Sequence, residues 1–257
     1  MPRPAAVSII PVPLAEEVGP GDDLMEKLRL ALRHQKLSLR DGDILVVKHK
    51  TVSKAEGQIA QLEVVKTSRA ALQWARISNG DARLIQLALS ESRRVLRQKL
   101  VAGRGVLITE TRHGFICANS GVDVSNVDGG RHAVLLPKDP DRTASRLRAS
   151  IKKKFGVNLA VIITDSFGRA WREGLTEVAI GVAGIKPLRD DRGKRDPHGY
   201  VLHASAEAVA DELACAAGLV CGKLNRTPFC IVRGFKYESA RGSARELIRP
   251  AKNDLFR

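Results

Sequence analysis

Apolar positions along the chain fall in short runs broken by polar turns, and the runs keep two different spacings. Val7 to Val12 reads as a strand closed by Pro11 and Pro13. Gly21-Asp22-Asp23 is a turn ending in a helix N-cap, after which Leu24, Leu28, Ala31 and Leu32 keep helical spacing. The Asp41-Gly42-Asp43 turn leads into a buried strand, Ile44 to Val47, and the polar Lys48-His49-Lys50 follows at once. Residues 67–99 carry a largely helical pattern, with Leu84, Leu87, Ala88, Val95 and Leu96 as its apolar stripe. Gly105 to Thr109 and Gly114 to Ala118 make a hairpin around Arg112-His113, and Ala133 to Leu136 is a short strand.

Ala144 to Phe155 reads as a basic helix whose Lys152-Lys153-Lys154 is a solvated face. Leu159 to Thr164 is the clearest buried strand, Glu177 to Ile185 is apolar and glycine-rich, and Asp190 to Gly199 is a polar loop. His203 to Gly218 is helical with Ala206, Val209, Ala210, Leu213 and Ala217 on one face, and Phe229 to Val232 is a closing strand. Without a regular βαβ alternation, the expected class is α+β (mixed α/β), with residues 1–257 forming a single catalytic unit, in one body or two lobes.

Composition narrows the function. Aromatics make up only 4% of the chain, which argues against a protein that reads single strands by stacking bases. The net charge of +15 creates a field that concentrates anions. Nucleic acid, an anionic membrane and small polyanionic substrates all satisfy that field, and charge alone does not choose among them. A basic nucleic-acid-binding protein, which only the charge supports, predicts steeply salt-dependent binding. The four cysteines form no C-x-x-C pair and no disulfide scaffold, so a reducing cytoplasm is the expected compartment. No run approaches the about 18 apolar residues of a membrane span, and the N-terminus lacks a signal-peptide core, so a soluble protein is expected.

The familiar nucleotide and hydrolase signatures are missing: no G-x-x-x-x-G-K-[ST], no G-x-G-x-x-G after a strand, no H-E-x-x-H and no G-x-S-x-G. Three polar segments remain. Thr51 to Gly57 follows a buried strand, and its Lys54 can reach a phosphate as a point charge or simply pair with Glu56 at the surface. Asn119 to Asn126 groups small residues, amides and Asp123; it is either an Asx-rich turn or a hard-cation site in which Asn126 bonds a phosphate or base. Asp165, Ser166 and Arg169 follow the Ile162-Ile163-Thr164 strand, where ligands gather at carboxyl ends, although Asp165 or Ser166 could also cap a helix. Two acids from separate segments together with Lys and Arg suggest a metal–phosphate site.

Together these segments resemble the γ-glutamyl ligase family of coenzyme F420 biosynthesis. The matching stretches are DGDILVVKHKTVSKAEG (41–57), ESRRVLR (91–97), RHGFICANSGVDVSNVDGG (112–130), VIITDSFGRAWREGLTEVAIGVAGIKPL (161–188), ADELACAAGLVCGK (210–223), IVRGF (231–235) and LIRPAKNDLFR (247–257). The resemblance implies a family-specific mixed α/β fold in an intertwined homodimer, without a fused reductase domain. It implies GTP as co-substrate, Mg²⁺ or Mn²⁺, and K⁺ as a monovalent activator. The terminal carboxylate of the deazaflavin precursor F420-0 would be phosphorylated by GTP. L-glutamate would then displace phosphate, and further γ-linked glutamates could follow. No nucleic acid or membrane partner is implied.

Carried over by motif, the resemblance assigns Asp123, Asp165 and Ser166 to the metal. His49, Lys54 and Asn126 fall on the nucleotide, together with Gly222 and Lys223 in a closing loop that runs to Thr227. Asp123, Asp165 and Arg169 are the catalytic candidates. Three departures stand out: Pro13-Leu14-Ala15-Glu16 where the family has Gly-Leu-Pro, His49 where a small polar residue or Gln is usual, and the altered Lys223-Leu224-Asn225-Arg226. They bear on nucleotide choice, so the alternative is a ligase of the same chemistry with a different acceptor or nucleotide.

Overall fold

The central sheet draws its five strands from distant parts of the chain, in the order Ser8–Val12, Phe229–Arg233, Ile44–Lys48, Ala160–Arg169 and Arg172–Ala183. Numbered along the sequence these are β1, β12, β2, β8 and β9. The structure is a computed structural model and describes residues 6–125 and 127–255. Only β2 and β8 run parallel; the other neighbours are antiparallel. The centre of the sheet is Val- and Ile-rich because both faces are covered there: Ile44, Leu45, Val47, Val161, Ile162, Ile163, Phe229 and Ile231 are fully buried. Each such side chain contributes about 1.5–3 kcal/mol relative to exposure.

Helices close over this sheet. Helix α1 (Leu24–His34) starts where the Asp23 carboxylate accepts from Met25 N, as its N-cap position predicts. Helix α2 (His49–Ala55) begins directly after β2. Helix α5 (Pro140–Phe155) has Asp139 as N-cap and proline at its first position, and it packs on β8 and β9. Helix α6 (Val209–Cys221) runs along the sheet and touches all five strands. At the other end of β2, Arg233 Nε and Nη2 donate to the two oxygens of Asp43 at 2.8 and 2.7 Å. Asp43 is 1% exposed, and this bidentate pair ties the end of β12 to the start of β2.

Smaller sheets surround the main one. They are β3 (Ile59–Gln61) with β7 (His132–Val134), and β4 (Ser92–Val101) with β5 (Arg104–Thr111) and β6 (Ile116–Ala118). A last pair joins β10 (Arg189–Asp190) and β11 (Ala206–Glu207). The α+β class and the β5–β6 hairpin are as the sequence predicts. Three expectations are corrected. Helix does not fill 67–99: α3 (Arg69–Ser78) and α4 (Ala82–Ser90) stop there, and Val95 and Leu96 lie in β4. The spacing from Ala88 to Val95 fits two helical turns by coincidence, but pairing along β5, with Arg94 Nε on Glu110 Oε2 at 2.8 Å, overrides local propensity. The last helix begins at Val209 rather than His203, because residues 206–207 pair with β10. Asp165 and Ser166 cap no helix; β8 continues through them because β9 pairs with it as far as Arg169.

Candidate functional site

A cleft of about 410 Å³ opens where β2 ends, at Lys48, and the adjacent β8 runs on past it. Carboxyl ends of adjacent parallel strands leave a crevice that the following segments line. Lys48 is the last residue of β2, and α2 turns away at once, so His49 and Lys54 reach the same space. Asp165 and Ser166 come from the outer half of β8 and Glu177 from β9. Asp123 and Ser125 enter from the segment before β7, and Gly222 to Pro228 supplies most of another wall.

Strand geometry sets one polar face. Lys48 pairs with Thr164 across β2–β8, and Ser166 pairs with Glu177 across β8–β9, so the four side chains project from the same side. Glu177 is their hub. Its Oε1 accepts from Lys48 Nζ in an ion pair and from Ser166 Oγ at 2.8 Å, and its Oε2 accepts from Thr164 Oγ1 at 2.5 Å. Glu177 is 8% exposed. Burial pushes its carboxyl pKa up, but the Lys48 ammonium and the two hydroxyl donors outweigh burial and hold it below the ordinary value. An irregularity in the β8–β9 pairing sits just inward, between Ile163 and Thr164, and the Asp211 carboxylate accepts Ala179 N there at 2.8 Å. Such bulges re-aim side chains beside functional sites.

The remaining polar groups form separate pairs. His49 Nε2 lies 3.0 Å from Asp165 Oδ1; His49 is 3% exposed and its Nδ1 has no hydrogen-bond partner among the described residues. Ser166 N donates to the same Asp165 oxygen at 2.7 Å. Asp123 is held by a backbone bridge to Val134, and its Oδ2 meets Lys50 Nζ at 2.8 Å. Burial raises its pKa, yet Lys50 and the Ser125 N–H and hydroxyl bring the net shift below the ordinary value. Lys54 meets Glu17 Oε2 at 3.4 Å rather than pairing with Glu56, whose Oε1 instead accepts from the Thr143 hydroxyl. Buried Cys117 feels Asp165: burial first, and then that carboxylate, push its thiol up to about 12.

The structure thus brings Asp123, Asp165, Ser166, His49, Lys54, Gly222 and Lys223 to one cleft. Arg169 is not among the lining residues; it is exposed near the turn between β8 and β9, its Nη2 donating to Glu173 O at 2.9 Å. Asn126 lies outside the described residues. Sequence reasoning missed Lys48, Lys50 and Glu177 as site residues. Glu177 had one signal, a carboxylate at the head of the apolar run from Glu177 to Ile185.

The cleft's carboxylate and hydroxyl oxygens, from Asp123, Asp165 and Ser166, are hard donors suited to Mg²⁺ or Mn²⁺, whereas both Glu177 oxygens are taken up by Lys48, Thr164 and Ser166. Among the described residues no group of three or more His, Cys, Asp or Glu side chains forms a metal cage. A Mg²⁺ ion is commonly bound through one or two carboxylates, with water and substrate phosphates as its other ligands.

Comparison with known proteins gives a consistent result. A profile of the family described as F420-0:Gamma-glutamyl ligase matches residues 14–234. A protein of Methanothermobacter thermautotrophicus named Coenzyme F420:L-glutamate ligase is 43% identical over 98% of this chain and 99% of its own. Its namesake in Methanopyrus kandleri is 41% identical over 97% of both chains. A third, from Methanocaldococcus jannaschii, is 38% identical over 90% of this chain and 91% of its own. By near full-length similarity, the chain belongs to the F420-0:gamma-glutamyl ligase family and is an amino-acid ligase.

Proposed function

We propose that the protein joins L-glutamate to the terminal carboxylate of coenzyme F420-0 at the expense of GTP, through an acyl phosphate, and can add further glutamates by γ-linkage. The observation that carries this reading is the convergence of Asp123, Asp165 and Ser166 with Lys48, Lys50 and Lys54 in one cleft. Phosphoryl transfer needs charge neutralisation and in-line positioning more than a covalent catalyst, and this mixture of hard oxygens and ammonium groups supplies both.

In the proposed sequence the acceptor carboxylate attacks the γ-phosphorus and GDP departs. The α-amino group of glutamate then attacks the acyl carbon, loses its proton, and phosphate leaves. Asp123, Asp165 and Ser166 would hold Mg²⁺ or Mn²⁺, which when bound neutralises the phosphate oxygens. Lys54 and the Gly222–Thr227 loop bind the nucleotide's phosphates. Lys50, tied to Asp123 at 2.8 Å, keeps that carboxylate ionised and fixed. His49, buried against Asp165, excludes water behind it. A monovalent cation such as K⁺ and an intertwined homodimer belong to the same proposal. The cytoplasm fits four free cysteines, and among the described residues no helix is long and apolar enough to cross a membrane.

A second reading, the same chemistry with another nucleotide, draws on Glu16 and Glu17, two carboxylates on the first loop that line the cleft. The experiment is product mass after incubation with F420-0, L-glutamate, Mn²⁺ and either GTP or ATP. Glutamyl increments with GTP support the first reading, and increments with ATP alone support the second. Folded protein that yields neither sinks both.

A further inference from the structure

Glu177 does more in the cleft wall than balance Lys48. An ionised carboxylate is an acceptor only, so the 2.8 Å contact fixes the direction of the hydrogen bond: Ser166 Oγ donates its proton to Glu177 Oε1. A serine hydroxyl has one proton and two lone pairs. With its proton directed at β9, Ser166 keeps its lone pairs for the cleft that it lines beside Asp165.

The group that imposes this direction is itself held rigidly. Register places Glu177 opposite Ser166, Lys48 Nζ meets the same Oε1, and Thr164 Oγ1 donates to Oε2 at 2.5 Å. Behind it α6 passes so closely that a Cβ on Gly218 would stand 2.6 Å from Glu177 Cγ, and Cys215 Sγ donates to the Glu177 carbonyl oxygen at 3.1 Å. Three strands and a helix therefore fix one carboxylate, and the carboxylate fixes one hydroxyl.

We propose that Glu177 is a positioning residue: by taking the Ser166 proton it turns the Ser166 lone pairs toward Asp165, and so completes the oxygen face that receives the divalent cation. This rests on the metal reading above and deepens it. Lys48 acts one step further back, as the cation that keeps Glu177 ionised and in place. Groups that orient a metal ligand from behind set affinity without touching the ion. A purely structural Lys48–Glu177 pair would instead change stability and leave cation affinity alone.

The test is Mn²⁺ binding, with Mn²⁺ alone titrated into the purified protein and the free ion read by electron paramagnetic resonance. Four proteins are compared: wild type, Glu177→Met, Ser166→Ala and the double variant. Glu177→Met, which leaves no oxygen to accept the Ser166 proton, is expected to weaken Mn²⁺ binding about tenfold. On the Ser166→Ala background the same substitution should change it by less than about twofold, since the oxygen it orients is gone. Unchanged affinity in Glu177→Met, or the same loss with and without the Ser166 hydroxyl, overturns the proposal; the latter result would assign the effect to charge alone. If Glu177→Met fails to fold with Lys48 unpaired, Lys48→Met with Glu177→Met removes both charges together, and the same comparison across Ser166 decides. A wild type that takes up no Mn²⁺ overturns the metal reading and this inference with it. Uptake indifferent to both residues overturns the inference alone.

Discussion

Lys48 and Glu177, 129 residues apart in sequence, form an ion pair that reaches from β2 to β9 across the intervening β8. The pair has a measurable stability signature. Lys48→Met leaves a buried carboxylate without its cation. The cost should be about 2–3 kcal/mol, below that of a fully buried pair because Lys48 keeps partial access to water. Adding Glu177→Met should recover part of the loss, because the charge and its partner then leave together. Urea unfolding of the single and double variants checks this. A double variant less stable than the single one contradicts it.

Asp165→Asn separates chemistry from folding. The amide oxygen can still accept from His49 and from Ser166 N, so the unfolding midpoint should stay near that of wild type. Loss of the charge should cut turnover on the order of a thousandfold. Near-normal turnover would mean the cation lies elsewhere in the cleft.

Gly218→Ala should behave opposite to an ordinary helix substitution. Replacing an interior helical glycine with alanine usually stabilises by about 1 kcal/mol. Here the new Cβ would lie 2.6 Å from Glu177 Cγ, and Glu177 is pinned by Lys48, Thr164 and Ser166. A loss of about 1–3 kcal/mol is expected, with reduced turnover as the carboxylate is displaced. Calorimetry and a steady-state assay check both, and a raised melting temperature would contradict the account.

Asp211 carries a pH signature. Burial raises its pKa, and the hydrogen bond from Ala179 N only partly offsets that. The folded protein therefore holds this proton to higher pH than the unfolded chain does. Stability falls as pH rises from the ordinary aspartate value of 3.8 through the higher folded value, and the cost is then constant. Asp211→Asn keeps an acceptor for Ala179 N and removes the buried charge. It should be more stable than wild type at about pH 7.5, with the gain vanishing near about pH 3.5, below both pKa values. A gain independent of pH would rule out the charge as its cause.

The sequence showed what is local. Ile44 to Val47 and Leu159 to Thr164 are short apolar runs, and they became the parallel pair at the centre of the sheet. Asp165 and Ser166 were legible because polar residues directly after such a run lie where a cleft can open. Glu177 and Lys48 were not, because their meeting depends on the order of strands in the sheet, which no local spacing records. The same limit hid β4: arginine, leucine, lysine and glutamine suit a helix, and only the presence of β5 alongside makes 92–101 a strand. Proximity in sequence pairs Lys54 with Glu56, but the turn of α2 carries it to Glu17 on another loop.

In the proposed reaction the acceptor carboxylate is activated by phosphorylation and then joined to glutamate. F420-0 labelled with ¹⁸O in its terminal carboxylate, incubated with GTP, L-glutamate and Mn²⁺, tests it in one reaction read by mass spectrometry. The expected product is heavier by one glutamyl residue, with one ¹⁸O transferred to the released phosphate. Glutamylated product with unlabelled phosphate would contradict the acyl phosphate, and no glutamylated product from folded protein would contradict the assigned reaction itself.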